Sequence, residues 1–225
     1  QFLYFIGTPA SAQPTDMAKQ TKQYQDGADD RAAAAVAFLS RLRFSRPLQD
    51  LRDQPQRSKC PQCGKRKQYY CYDCLAVTNP DVHPPPLELP INVHVVLHPN
   101  ESRSKATTLP VATVSPQVSI HTYPTVPELD PTTTLVLYPS PDAVEIGEIE
   151  DADRVTDVVF VDSTWQQSYC ISHDERVKKF RHVKLSGIVS LFWRFQDKDP
   201  YHLATVEAVY HTVRRLIAAR KRAAA

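Results

Sequence analysis

The residues most able to do chemistry lie where an apolar run stops, at Asp162, Ser163 and Thr164. The preceding run, residues 158–161, is β-branched and aromatic, which is typical of a strand buried on both faces of a parallel sheet. Ser163 or Thr164 can cap the helix that the apolar spacing of the following residues predicts. Asp162 is therefore predicted at the carboxyl end of a strand, where ligands bind in open α/β sheets. A carboxylate in such a place can act as a general base, or it can simply complete a capped turn.

Four cysteines have the spacing of a metal site. Two Cys-x-x-Cys pairs are separated by seven residues that begin with Gly64, and each pair can present two thiolates to one tetrahedral zinc ion. The four residues are Cys60, Cys63, Cys71 and Cys74. Such a zinc would be structural, because no coordination position stays open for water or substrate. A redox dithiol is the alternative, but two pairs so close together among basic residues favour zinc.

Basic residues beside these cysteines are candidates for binding RNA. Lys65, Arg66 and Lys67 follow Gly64 directly, and tyrosines nearby can contact bases or can merely cover a small core. The net charge of the 225 residues is only +2, yet residues 123–157 carry nine acidic residues against one arginine. The chain after that segment is rich in lysine and arginine. This asymmetry indicates a polyanion-binding face or an ordinary solvated surface, and the counts alone leave both open.

Further apolar runs predict the elements that position these residues. Strands are predicted at 91–97, 118–122, 134–138 and 182–185, in addition to the one that ends at Asp162. Helices are predicted from Asp30 to before Pro47, after Asp162 as far as Val177, and up to Arg222. The acidic stretch 142–153 is expected to form a helix or loop on the outer face. Strands separated by helical or loop segments favour an α/β fold with a mainly parallel sheet.

The composition shifts divide the chain into four predicted parts. Residues 1–27 begin with an apolar stretch and continue as a polar one from residue 13, and they are expected to be disordered or a leader segment. Residues 28–57 are expected to be an N-terminal helical arm. Residues 58–78 form the predicted zinc knuckle, and residues 88–222 form the predicted main domain, which the family resemblance described below implies to be catalytic. No apolar run has the length of a membrane-spanning helix, so no membrane partner is expected. Cysteines spaced for a metal rather than for disulfides favour the nucleus, the cytoplasm or both over secretion.

The sequence Asp-Ser-Thr-Trp at 162–165 resembles the Asp-x-Thr-Trp motif of the DTW-domain family of aminocarboxypropyltransferases. His98-Pro99-Asn100-Glu101 is similar to the family's His-Pro-x-Glu motif. Its closing motif is matched by Arg194, Thr205, Glu207 and Ala208, whereas Ala204 and Val206 depart from it. The resemblance spans roughly residues 57–212, and its cysteine motif is most similar to the first of the two eukaryotic branches.

The resemblance implies a chemistry and a fold. Members of the family transfer the 3-amino-3-carboxypropyl group of S-adenosylmethionine to RNA, and the most similar ones modify N3 of uridine in tRNA. The family looks like a relative of the SPOUT RNA methyltransferases, which bind this donor in knotted loops rather than a Gly-rich turn. That implication agrees with a chain of only five glycines, although a sequence cannot reveal a knot. The alternatives are a SPOUT-type RNA methyltransferase and a non-catalytic zinc-knuckle RNA-binding protein.

The resemblance also implies roles for individual residues. Asp162 is the candidate general base for the uridine N3 proton, and Trp165 is the candidate stacking wall. The candidate donor-binding residues are His98, Glu101, Ser163, Thr164, Arg194, Thr205 and Glu207. The candidate RNA-binding residues are Arg103, Lys105, Lys65, Arg66 and Lys67.

Overall fold

The first described elements are two helices and two small hairpins. The computed structural model describes residues 33–44, 47–53, 56–192 and 201–224. Residues 33–40 form helix α1, and Leu48–Arg52 form helix α2. Strand β1 (Ser58–Lys59) pairs antiparallel with β2 (Arg66–Lys67), and β3 (Tyr70–Cys71) pairs antiparallel with β4 (Ala76–Val77). The predicted disordered or leader segment 1–27 lies outside the described residues, as does the predicted helix start at Asp30.

A six-stranded sheet forms the centre of the fold, and its five strand pairings are parallel. Its strands are β5 (Asn92–Leu97), β6 (Val118–Thr122), β7 (Thr134–Leu137), β8 (Val144–Glu145), β9 (Asp157–Asp162) and β10 (Arg181–Lys184). Their order across the sheet is β6, β5, β9, β7, β10, β8. The predicted mainly parallel α/β sheet is confirmed, and the predicted strand ends differ by at most one residue. The SPOUT-like knot stays a prediction.

Helices cover both faces of this sheet. They are α3 (Leu109–Val114), α4 (Trp165–Ser172), α5 (Glu175–Lys178) and α6 (Thr205–Ala223). On one face Phe160 packs in a cluster with Val209 and Leu216 of α6. On the other face Val161 packs with Ile171 of α4 and Val177 of α5. Because both faces are buried, the strands need the continuous apolar runs from which they were predicted. Within the described part of the chain, no helix has the length and apolar character needed to cross a membrane.

Three predicted segments have a different form in the structure. The helix predicted to continue to before Pro47 ends at residue 40, and residues 41–44 are not helical. The single helix predicted after Asp162 is interrupted, because Asp174 caps a separate helix α5 by accepting a hydrogen bond from the N–H of Arg176. The acidic stretch predicted as a helix or loop contributes the edge strand β8. It also forms two 3₁₀ turns, Ile146–Glu148 and Ala152–Arg154, which pack against α6.

Some of the acidic and basic residues that the sequence separates pair with one another in the fold. Arg215 of α6 forms an ion pair with Glu145 of β8 at 2.8 Å, and Arg181 pairs with Asp151 at 2.9 Å. The guanidinium of Arg220 donates hydrogen bonds to the carbonyls of Ala152, Val155 and Pro90. Arg215 and Arg181 are therefore paired with acids of the acidic segment and Arg220 with backbone carbonyls, so these three arginines have partners within the protein.

The N-terminus of α6 is capped by side chains other than that of its N-cap residue. Its N-cap residue, Ala204, has no polar side chain, but the Glu207 carboxylate accepts the Ala204 N–H at 2.8 Å. The N–H of Val206 donates to the hydroxyl of Thr107 at 3.1 Å, so a distant loop supplies a second cap. The helix therefore has only the glutamate half of a Ser-x-x-Glu capping box.

We expect Ala204→Ser to stabilise the protein by about 1 kcal/mol, because the serine hydroxyl can accept the free N–H of Glu207. Urea unfolding followed by circular dichroism would measure the change. Ala204→Cys is the matched control, since it adds an atom of similar size with weak hydrogen-bonding ability. Equal stability of the serine and cysteine variants would show that Thr107 and Glu207 already satisfy this helix end.

Candidate functional site

Asp162 lies where three separate chain segments meet. It ends β9 directly opposite Leu97, the last residue of β5, and its carbonyl accepts the N–H of His98 at 3.0 Å. One carboxylate oxygen accepts the hydroxyl of Thr108 and the other accepts the hydroxyl of Thr205, each at 3.2 Å. The carboxylate thus ties the loop after β5 to the first residue of α6. The predicted position at a strand's carboxyl end is confirmed.

Burial dominates the electrostatics of this carboxyl group. Only 2% of Asp162 is exposed, and this burial raises its pKa to about 6. The Thr108 and Thr205 hydroxyls oppose the shift because they donate to the charged form, whereas the negative charge of Glu101 acts in the same direction as burial. The group is therefore mostly ionised at neutral pH and takes up a proton more readily than an exposed aspartate does.

The His98–Thr108 loop, residues 98–108, carries several of the predicted site residues. It begins with a tight turn in which the N–H of Glu101 donates to the carbonyl of His98 at 3.0 Å. The N–H of Asn100 donates to Nδ1 of His98 at 3.2 Å, which fixes that ring nitrogen as an acceptor. Glu101 is half-buried and close enough to Asp162 to influence its pKa. The histidine motif and Asp162 are therefore brought together, as the resemblance implies.

Ser163 and Thr164 have different environments. Thr164 is the N-cap of α4, and its N–H donates to the Gln167 side chain at 3.3 Å, so the helix start predicted there is confirmed. Ser163 is fully buried, and among the described residues its hydroxyl has no hydrogen-bond partner. A buried polar group without a partner is costly unless a ligand or water satisfies it. Ser163 thus has hydrogen-bonding capacity left beside Asp162.

The remaining predicted donor-binding residues have structural contacts or lie outside the described part. Thr205 donates to Asp162, and Glu207 accepts the Ser190 hydroxyl at 2.7 Å and the N–H of Leu191 at 2.8 Å in addition to capping α6. Both therefore help to build the site, whatever they contact in a ligand. Arg194 lies outside the described residues, and Trp165 is described only as the first residue of α4.

Two threonines of the site escaped the sequence analysis. Thr107 caps α6, and Thr108 shares the Asp162 carboxylate with Thr205. Both belong to a polar stretch between a strand and a short helix, where threonine is ordinary. The only signal in the sequence is that hydroxyl residues follow the histidine motif closely, and this does not identify their partners.

The four predicted cysteine ligands converge in space. Their sulfur atoms all lie within 4.8 Å of one another, and the sulfurs of Cys63 and Cys71 are 3.7 Å apart. Zinc–sulfur bonds of about 2.3 Å in a tetrahedron place neighbouring sulfurs about 3.8 Å apart. Backbone N–H donation from Cys63 lowers the pKa of Cys60 to about 7, whereas hydrogen bonding with Cys63 and burial raise the pKa of Cys74 to about 12. Four crowded thiols thus need a cation before all of them can ionise, and the cluster can hold a metal ion.

Each pair of cysteines occupies the tip of a hairpin. Gly64 directly follows Cys63 and has φ +71°, and Leu75 directly follows Cys74 and has φ +53°. The left-handed conformation turns the backbone beneath the sulfurs at both tips. Glycine adopts it freely, which is why Gly64 was recognisable in the sequence. Leu75 adopts it at a cost of about 1–2 kcal/mol, and nothing in its residue type reveals this.

The predicted RNA-binding residues are partly engaged within the protein. Lys65 and Lys67 both pair with Asp73, and Arg66 donates to the carbonyl of Arg57. Nε of Arg103 donates to the carbonyl of Tyr72 at 2.8 Å, whereas Lys105 is exposed. The surface of the cysteine cluster is therefore less free for phosphate contacts than its sequence indicates.

The fold and site define an α/β protein with a parallel sheet, a buried acid at the carboxyl edge of that sheet and an attached four-cysteine knuckle. This architecture agrees with the comparison of the chain with known families. The model of the DTW domain matches residues 57–224, and the protein belongs to the DTW-domain family.

Curated relatives carry one common name, tRNA-uridine aminocarboxypropyltransferase 1. The protein of Xenopus laevis is 28% identical in an alignment 239 positions long, which covers 84% of this chain and 80% of the relative. In alignments 205 positions long, the protein of Mus musculus is 31% identical and that of Homo sapiens is 29% identical. Each of these two alignments covers 70% of this chain and 67% of the relative. No solved structure matched the chain significantly.

We expect the purified protein to contain one zinc ion per chain, because four thiolates at these distances fit a tetrahedral zinc site. Cys60→Ser should lose the metal, and elemental analysis would measure it. Cys170→Ser is the matched control, because Cys170 is exposed on α4 and is not part of the cluster. Native protein without metal, or equal metal loss in both variants, would contradict the site.

Proposed function

We propose that this protein is a tRNA-uridine aminocarboxypropyltransferase. It transfers the 3-amino-3-carboxypropyl group of S-adenosylmethionine to N3 of a uridine in tRNA and releases methylthioadenosine. The observation that carries the proposal is the buried Asp162, whose pKa is raised to about 6 beside the histidine motif. Family membership and the common name of the relatives support the same activity.

The residues around Asp162 suit a donor with an amino-acid arm. The buried Ser163 hydroxyl has no partner among the described residues and can bond to a ligand. Glu101 would bind the ammonium group of the donor's amino-acid arm, and Arg194 would bind the carboxylate of that arm through a bidentate hydrogen bond. His98, Thr164, Thr205 and Glu207 would complete the donor site by shaping its walls. When bound, the donor supplies a sulfonium that activates the carbon atoms attached to it.

Asp162 would act on the acceptor base. Uridine N3 carries a proton that neutral water removes poorly, so the reaction needs a positioned base. A carboxylate with a pKa of about 6 is ionised at neutral pH, yet it is a stronger base than an ordinary aspartate. Trp165 would stack against the extruded base and hold N3 in line for attack.

The proposed transfer balances in bonds and charge. A bond forms between uridine N3 and the side-chain methylene next to sulfur, and the bond between that methylene and sulfur breaks. The bonding pair leaves with sulfur, so the positive charge of the sulfonium disappears and neutral methylthioadenosine departs. The N3 proton passes to the Asp162 carboxylate. Selection of the methylene over the equally activated methyl must be geometric, because only aligned atoms react.

The tRNA would contact basic side chains outside the donor site. Lys105 is exposed on the His98–Thr108 loop, and the Lys65 side chain is 63% exposed despite its pairing with Asp73. These residues, with Arg66 and Lys67 of the knuckle, would bind phosphates. The zinc ion would be structural in this scheme. The cysteine spacing favours residence in the nucleus, the cytoplasm or both.

We expect labelled S-adenosylmethionine and uridine-containing tRNA transcripts to yield 3-(3-amino-3-carboxypropyl)uridine, identified by nucleoside mass spectrometry. Transcripts in which the modified uridine is replaced by cytidine form the control. A product heavier by one methyl group would instead establish the methyltransferase alternative. RNA binding without donor binding would establish the non-catalytic zinc-knuckle alternative.

We expect Asp162→Asn to lose turnover by at least about 100-fold while it still binds S-adenosylmethionine. The same variant should be more stable than the parent at pH 8, by about 1–3 kcal/mol. The reason is that a buried carboxyl with a pKa of about 6, against an ordinary 3.8, costs free energy to keep ionised in the folded state. Nucleoside mass spectrometry, equilibrium dialysis and urea unfolding would measure the three quantities.

The pH dependence provides a control for this variant. The raised pKa of Asp162 makes its contribution to stability greatest below about pH 4, and this contribution is lost as the pH rises through about 6. The stability advantage of Asp162→Asn should therefore shrink in acid. Thr205→Val removes one hydroxyl donor and should move the acid limb of the turnover profile to higher pH. Full turnover of Asp162→Asn would exclude the general-base role.

A further inference from the structure

The His98–Thr108 loop is held at both ends by the candidate site and in its middle by the cysteine knuckle. At its ends, the N–H of His98 donates to the Asp162 carbonyl and the Thr108 hydroxyl donates to the Asp162 carboxylate. In its middle, Nε of Arg103 donates to the carbonyl of Tyr72 at 2.8 Å. Tyr72 lies within the second Cys-x-x-Cys turn, between Cys71 and Cys74.

We propose that Arg103 is a positioning residue that couples metal binding at the four-cysteine knuckle to donor binding at Asp162. The shape of the Cys71–Cys74 turn depends on its two sulfurs sharing one metal with the other pair. That turn presents the Tyr72 carbonyl, which fixes Arg103 and the middle of the loop. The coupling rests on the proposed function in so far as the bound donor is S-adenosylmethionine.

The contact suits this role chemically. A hydrogen bond from a guanidinium is charge-assisted, and the planar group fixes the direction of Nε–H. The acceptor is a backbone carbonyl, so it moves only when the backbone of the knuckle moves. Arg103 is half-buried, which reduces competition from water. These features make it a better mechanical link than the ion pair of Lys65 with Asp73, in which the Lys65 side chain is 63% exposed.

Loss of the hydrogen bond from Arg103 to the Tyr72 carbonyl would change the position of Glu101. This residue lies two positions before Arg103, and its charge already acts on Asp162. The loop contains neither helix nor strand, and the backbone hydrogen bonds in its middle, from the N–H groups of Lys105 and Ala106 to the carbonyl of Ser102, stay within the loop. A side-chain contact such as that of Arg103 therefore helps to fix the middle of the loop against the rest of the protein. Metal loss would release the Tyr72 carbonyl, widen the range of loop conformations and reduce the fraction of molecules able to bind the donor.

The test is a cycle of two perturbations on the full chain: removal of the metal and the substitution Arg103→Ala. Hydrogen–deuterium exchange of residues 98–108 is measured without any ligand, and affinity for S-adenosylmethionine is measured by equilibrium dialysis. In the parent we expect metal removal to speed exchange in the loop and to weaken donor affinity about tenfold. In Arg103→Ala we expect both changes to be present already, so that metal removal adds less than about twofold.

Asn100→Ala is the matched control, because Asn100 is an exposed residue of the same loop. It should leave the effect of metal removal intact. Arg103→Lys keeps the charge without the planar donor and should rescue the coupling only in part. Unchanged exchange in β5 and β9 would show that each variant is folded.

Independent effects of metal removal and Arg103→Ala on loop exchange would overturn the proposal, as would slow exchange in Arg103→Ala with metal bound. Both readings are made without the donor, so they do not depend on the proposed activity. If the parent protein binds no S-adenosylmethionine at all, the proposed function fails, while the exchange cycle still decides the coupling.

Discussion

The site depends on a negative charge that is kept away from water. A carboxylate as buried as that of Asp162 loses most of its hydration, and two threonine hydroxyls replace only part of it. Those hydroxyls come from segments far apart in the chain, Thr108 before α3 and Thr205 at the start of α6. The same contacts that solvate the acid therefore hold the carboxyl edge of the sheet together. The Asp162 carboxylate serves both the proposed chemistry and the packing of this edge, so a substitution of Asp162 affects both.

Elsewhere in the described structure, several basic side chains have partners within the protein. Arg215 of α6 pairs with Glu145 of β8, and Arg220 donates to the carbonyls of Ala152 and Val155. Lys65 and Lys67 of the knuckle share the carboxylate of Asp73. Asp162 is the one acid among the described residues that is buried, and its side-chain hydrogen bonds come from hydroxyl groups rather than from basic side chains. Uncompensated burial of this kind is typical of functional sites, because it shifts a pKa towards the pH at which the group must work.

The sequence predicted the features that depend on local pattern and left out those that depend on long-range pairing. The apolar runs of β5 and β9 were recognisable because a strand buried on both faces must be apolar throughout. The cysteine cluster was recognisable because metal geometry restricts spacing. Thr108 could not be found, because a threonine hydroxyl bonds equally well to many groups and its partner lies 54 residues away. The break between α4 and α5 was missed because Asp174 interrupts an apolar spacing that otherwise continues.

The position of β9 between β5 and β7 has a consequence for how the protein is made. Paired residues of β5 and β9 lie up to 65 positions apart, and β7 is also synthesised before β9. While the ribosome translates the acidic segment, β5 and β7 are therefore present without β9, the strand that joins them in the sheet. Unpaired strand edges rich in valine and leucine are the surfaces at which nascent chains aggregate or meet chaperones. We therefore expect the nascent chain to need chaperone protection at least until residue 162 leaves the exit tunnel, because β10 and α6, which complete the pairing of β7 and cover one face of the sheet, are made later still.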